Sequence, residues 1–144
     1  MLDTLISHVA TIAGIEINTS REAVGIILNA AERQGAPFAD AMYENIPGAR
    51  PLAATMGAEI GAATGEIARL IERTPGGRRH VTAMMISDMQ ARGIGHKTIG
   101  EILPAISSFA SEYLGLDDFG HLGDLLGKEG EPITREELET IRAA

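Results

Sequence analysis

The chain has 144 residues, a formal net charge of −8, no cysteine, no tryptophan and only 3% aromatic residues. That length suits one compact domain burying about two thirds of the surface its unfolded form would expose. The lack of cysteine excludes a disulfide framework and thiolate metal sites, and fits a reducing compartment such as the cytoplasm. An acidic, ring-poor chain lacks the charge and stacking platforms of nucleic-acid binding, and no apolar run approaches a membrane span without a charge.

The charge is unevenly placed. Residues 1–97 carry ten acids against nine Lys plus Arg, whereas residues 98–144 carry ten against three. Seventeen glycines and many alanines favour helices packed closely through small side chains.

The opening MLDTLISHVATIAG has no basic leader and reads as a mature helix. Leu2, Leu5, Ile6, Val9, Ile12 and Ala13 keep helical spacing before Gly14, which predicts a helix over about 2–13. His8 reads as a solvated residue at the edge of that face. Thr19 and Glu22 have capping-box spacing ahead of Ala23, Val24, Ile26, Ile27, Ala30 and Ala31, with Gly35 closing this second helix. Pro37 opens a short third helix through Phe38, Ala41 and Met42, which Pro47 and Gly48 end.

Residues 51–73 begin at a helix-compatible proline, but Ala53, Gly57, Gly61 and Gly65 recur every four residues. Such a stripe permits close approach of another backbone, and each glycine inside a helix costs roughly 1 kcal/mol against alanine. The stripe reads as an internal helix contact, as a glycine-rich joint around 57–78, or as a self-association surface. Helical character recovers in Ile67, Ala68, Leu70 and Ile71 before a turn at Thr74, Pro75, Gly76 and Gly77.

Arg78, Arg79 and His80 follow that turn and are expected to open the next helix, which runs to about Arg92. Donors beside free helical N–H groups suit a phosphate or carboxylate, although cationic side chains oppose the helix dipole at that end. Met84, Met85 and Met89 form a stripe that reads as core filler or, because methionine adapts to many shapes, as a partner surface.

The most explicit helix lies at 98–114. Ile99, Ile102, Leu103, Ile106, Phe109, Ala110, Tyr113 and Leu114 share one face, Thr98 and Glu101 suggest a capping box, and Gly115 supplies a left-handed stop. Pro104 falls on the opposite side, so a kinked helix is expected rather than a break, at a cost of roughly 3 kcal/mol. Ser107, Ser108 and Ser111 read as its solvated face. Asp117 or Asp118 then caps a short helix bearing Phe119, Leu122, Leu125 and Leu126. Residues 128–132 read as a polar linker, and Thr134 with Glu137 precedes Leu138 and Ile141 in a final helix too short to stand alone.

No signature of nucleotide binding, zinc proteolysis or serine hydrolysis occurs, so no catalytic residue, metal or cofactor is assigned. Asp118 and His121 have the i, i+3 spacing of half a metal site only.

Residues 95–127, with the core Ile102, Leu103, Pro104, Ala105, Ile106, Phe109, Tyr113, Leu114 and Gly115 and the trailing HLGDLLG, resemble small glycine-rich, all-helical bacterial domains of uncharacterised function. Residues 2–48, ending in Ile46, Pro47 and Gly48, are similar to the same group. The resemblance implies an all-α bacterial cytosolic domain and carries over no active site.

The sequence therefore predicts an all-α bundle of six to eight short helices. A single domain over 1–127 is followed by an acidic linker and short helix over 128–144. The expected core joins the 98–114 helix, the 79–92 helix and the N-terminal pair. The expected function is that of a non-enzymatic interaction or scaffold protein, self-associating or bound to another protein through Gly57, Gly61, Gly65, Met84, Met85, Met89, Leu138 and Ile141. The alternative is a small-molecule or anion-binding domain, conceivably an enzyme, built on Arg78, Arg79 and His80.

Overall fold

The computed structural model describes residues 1–116, and the expected elements at 117–126, 128–132 and 134–141, with Leu138 and Ile141, lie outside them. Among the described residues the chain is all-helical, without strands: α1 (Leu2–Ala13), α2 (Ile17–Arg33), α3 (Pro37–Asn45), α4 (Ala49–Glu59), α5 (Glu66–Glu72), α6 (Pro75–Ala91) and α7 (His96–Leu114). None of these helices is long and apolar enough to cross a membrane.

The helix at the centre is α2, not the 98–114 helix. It packs most extensively on α4, then on α1 and α6, and also on α3. Every residue from 23 to 31 is buried, so α2 is enclosed on all sides rather than on the one stripe that its periodicity marks. Glycine makes the α2–α4 contact close: a Cβ at Gly25 would strike Met56 and lie 3.2 Å from the Leu52 carbonyl oxygen, and one at Gly57 would strike Asn29. This contact brings α4 into the core, which the sequence reading built without it.

The second layer is α7 on α1. Ile99, Ile102, Ile106, Phe109 and Ala110 are buried as their spacing predicts, and Leu103 and Leu114 are half-buried. Tyr113 departs from that face. It is 55% exposed and stacks on Phe109 with ring centroids 4.6 Å apart, while Ala105 takes a buried position instead. Pro104 lies exposed inside the helix, opposite the buried arc. In α1, Leu5, Ile6, Val9 and Ala10 are buried, but Ile12 is 48% exposed rather than core. A buried hydroxyl ties α1 to α2: Ser20 Oγ donates to the Ile6 carbonyl at 2.7 Å.

The glycine stops are where the spacing puts them. Gly14 and Gly115 both take left-handed φ values, 66° and 65°, and carry the C-caps of α1 and α7. Two capping boxes are not formed. Helix α2 starts at Ile17 with Glu16 as N-cap and α7 starts at His96 with Gly95 as N-cap, neither with a side-chain cap bond, so Thr19 and Thr98 fall inside the helices. The hydroxyl cap that does form belongs to Thr74, whose Oγ accepts from the Gly77 N–H at 3.0 Å. Consequently α6 begins at Pro75, within the stretch read as a turn.

Candidate functional site

Helix α5 is short and carries apolar Ile67, Leu70 and Ile71 at i, i+3 and i+4, the spacing that normally marks a core face. In the fold this face points out. Ile67 is 76% exposed and Leu70 71% exposed, whereas Glu72 on the other side is buried.

What holds α5 in that orientation is polar. Arg33, near the buried end of α2, donates from Nε and Nη2 to Glu72 Oε2 at 2.7 and 2.5 Å. Arg69 Nη1 donates to the other carboxylate oxygen at 2.9 Å. Two guanidinium groups thus saturate one carboxylate, the condition under which a buried charge is tolerated. At the far end, a Cβ on Gly77 would collide with the Ile71 carbonyl, so only glycine allows α6 to begin this close to α5.

Between α4, α5 and α6 lies a cavity of about 310 Å³ whose polar wall is Arg33, Glu72, His80 and Asp88 and whose apolar wall includes Ile60, Ile71 and Met84. His80, Met84 and Asp88 follow one another at i, i+4 and i+8 along α6 and so share a side of the helix. Burial raises the Asp88 carboxyl above its ordinary range, and the Arg33 and Arg92 guanidinium groups partly offset this. On the outside, Gly65, Glu66, Arg69, Leu70 and Arg73 line a shallow groove beside the exposed apolar face.

The residues singled out in the sequence separate in space. His80 lines the cavity; Arg78 and Arg79 are not among its lining residues. Because α6 starts at Pro75, Arg78 already donates its N–H to the Thr74 carbonyl at 2.8 Å and so lies one turn inside the helix rather than at its opening. The Arg78 carbonyl in turn accepts from Gln34 Nε2 at 2.7 Å. Met85 and Met89 are core residues, and Met84 alone of the three is exposed. Gly57 faces Asn29 inside the α2–α4 contact, while Gly61 and Gly65 take positive φ between α4 and α5, with open space around them. The four-residue stripe is therefore not one helical surface.

Sequence reading missed the Arg33–Glu72 pair and Asp88. It also missed a contact between His8 and the serine face of α7: His8 Nε2 lies 3.2 Å from Ser108 Oγ, and Ser108 donates back to the Ala105 carbonyl at 3.0 Å. His8 is half-buried against α7 rather than solvated. Among the described residues, no three His, Asp or Glu side chains converge as metal ligands.

The chain matches no known protein family. Comparison with curated proteins and with solved structures likewise finds no match.

Proposed function

We propose that this protein is a non-enzymatic interaction module whose contact surface is the outer face of α5, and that it receives an acidic, helical segment of another protein chain. The observation that carries the reading is the inverted burial of α5, with Ile67 and Leu70 more than two thirds exposed and Glu72 buried. A surface helix gains nothing in the free protein by turning its large apolar side chains to water. An amphipathic partner helix anchored at i, i+3 and i+4 spacing would shelter them. Charge favours an acidic partner: the α5–α6 hairpin carries Arg69, Arg73, Arg78 and Arg79 against Glu66, Glu72 and Asp88, a net of +1 in a chain whose net charge is −8. Small interfaces of this kind depend on a few apolar anchors and a complementary rim. The reading takes the protein to be cytoplasmic.

The test is a titration of the full chain with a fluorescent synthetic helical peptide bearing leucines at i, i+3, i+4 and i+7 and glutamates elsewhere. Ile67→Glu with Leu70→Glu should weaken binding at least about ten-fold, the loss of a single strong anchor, and a lysine-for-glutamate peptide should bind comparably weakly. Binding that ignores both changes would remove the reading. Light scattering identifies a second copy as the partner if a defined oligomer dissociates on the same double substitution.

A second reading, a small-molecule or anion site, draws on the cavity that gathers His80, Arg33, Glu72 and Asp88. It requires phosphate to raise the melting temperature of the full chain, and His80→Ala to cancel the effect.

A further inference from the structure

We infer that the cavity between α4, α5 and α6 is a site for a small organic cation, a primary ammonium group on a short alkyl chain, whose charge pairs with Asp88. The inference rests on that cavity holding a ligand, as the second reading has it, and reverses the sign the ligand carries. It is independent of the outer face of α5.

The sign follows from which charges around the cavity are already met. Arg33 directs Nε and Nη2 at Glu72 and Nη1 at Asn29, so its donors are committed inside the fold. Arg69 takes the other oxygen of Glu72. Arg92, one turn beyond Asp88 on the same side of the chain, pairs with Glu22 and Glu59. Three guanidinium groups thus face three carboxylates. Asp88 is left over: its carboxylate makes no salt bridge or hydrogen bond to any described residue. An anion entering here has to displace Glu72 from Arg33 and then meets Asp88, whereas a cation displaces nothing and finds a countercharge.

The class of cation follows from the rest of the wall. Among the described residues no three His, Asp or Glu side chains converge, and Ile60, Ala68, Ile71 and Met84 offer no oxygen ligands to replace the hydration shell of a metal ion. They suit an alkyl chain instead. Ile71 and Met84 are each 36% exposed, so a chain laid against them takes apolar surface out of water. Asp88 stands about 12 Å along α6 from His80, with Met84 midway. The carboxylate therefore lies at one end of an apolar wall, which matches a molecule charged at one end. At about 310 Å³ the cavity is at the small end of ligand sites, and Gly61 and Ala63 in its lining are exposed, so solutes can reach it.

The behaviour of Asp88 in the free protein agrees. Burial raises its carboxyl above the ordinary range, so at neutral pH the fold holds a carboxylate that weakens it. Groups kept under such strain in a cleft mark binding sites, and an ammonium beside Asp88 supplies the countercharge that the fold omits.

The test follows the amide chemical shifts of the full chain at neutral pH and constant ionic strength during titration with hexylammonium chloride and, in parallel, with hexanol, hexanoate and inorganic phosphate. Hexylammonium should bind saturably with a Kd of about 1 mM and shift residues 60–63, 68–72 and 80–88, and hexanol should bind at least about ten-fold more weakly. Asp88→Asn keeps the shape, removes the charge and is expected to fold at least as stably as the parent; it should weaken hexylammonium at least about ten-fold and leave hexanol unchanged. Asp3→Asn, at an exposed carboxylate on α1, should change neither. Ala68→Leu, which fills the cavity and keeps the charge, should block both. Equal affinity of hexylammonium for the parent and Asp88→Asn overturns the inference, as do shifts spread over the acidic surface or reproduced by ammonium chloride. Phosphate or hexanoate binding where hexylammonium does not overturns it while leaving the cavity as an anion site. No response to any of the four overturns it and removes the cavity as a ligand site altogether.

Discussion

Arg33 and Glu72, 39 positions apart, meet through hydrogen bonds of 2.7 and 2.5 Å where each side chain retains only 9% of its exposure. This pair fixes α5 to the central helix, and Asn29 supports it weakly through a 3.4 Å contact to Arg33 Nη1. Removing Glu72 strands the Arg33 guanidinium, whereas removing Arg33 leaves Glu72 with Arg69.

Glu72→Ala is expected to cost about 3–5 kcal/mol, the usual penalty for an orphaned buried charge, and Arg33→Ala less, because Arg69 still pairs with Glu72. Replacing both by alanine should cost clearly less than the sum of the single changes. Urea denaturation of the four proteins in a double-mutant cycle measures the coupling; additive losses would show that the pair does not act as a unit.

Gly77 and Gly61 should respond differently. Gly77→Ala forces a methyl group into the Ile71 carbonyl and should cost at least about 3 kcal/mol. Gly61→Ala meets no atom within 4 Å, but its φ of 71° is unfavourable for alanine, so about 1–2 kcal/mol is expected. Thermal melts of the two variants separate close packing from backbone strain.

Stability should carry a signature of Asp88. Burial raises its carboxyl in the folded state, so folding favours the protonated form. The resulting penalty is absent below the ordinary value of 3.8, grows as pH climbs through it, and is complete above the raised folded-state value. Asp88→Asn should therefore be more stable than the parent at about pH 7 and indistinguishable from it at about pH 3. Denaturation midpoints across that range test the sign.

Ile67→Glu should change stability by no more than about 0.5 kcal/mol, because the side chain is already in water. Ile106→Glu places a carboxylate in the fully buried core and should unfold the domain. Circular dichroism melts of these variants distinguish a surface anchor from a core residue.

Ser20→Ala removes a 2.7 Å bond from a buried hydroxyl to the Ile6 carbonyl. A loss of about 1 kcal/mol is expected, with α1 exchanging its amide protons faster than α4.

Local signals were the legible ones. Gly14, Gly115 and Pro37 mark ends and starts that depend only on backbone conformation, and the Ile99 to Ala110 stripe finds its core because α7 has one neighbouring layer. Helix α2 defeated the same method: its partners surround it, so Leu28 and Asn29 are buried although they lie off the apparent stripe. Thr19 and Thr98 matched a capping pattern but lost to helices that begin two residues earlier. The candidate site was the least legible part. Its Arg33–Glu72 pair joins distant segments, and the periodicity of Ile67, Leu70 and Ile71 is the same whether that face turns in or out.

The fit of Gly77 against Ile71, one residue before Glu72, leaves α5 without rotational freedom. Rolling it to hide Ile67 would tear the carboxylate from both guanidinium groups and drive the α6 backbone into its neighbour. Anchorage and apolar exposure are thus divided between opposite sides of a seven-residue rod, so positions 67 and 70 can be exchanged without disturbing the frame that displays them.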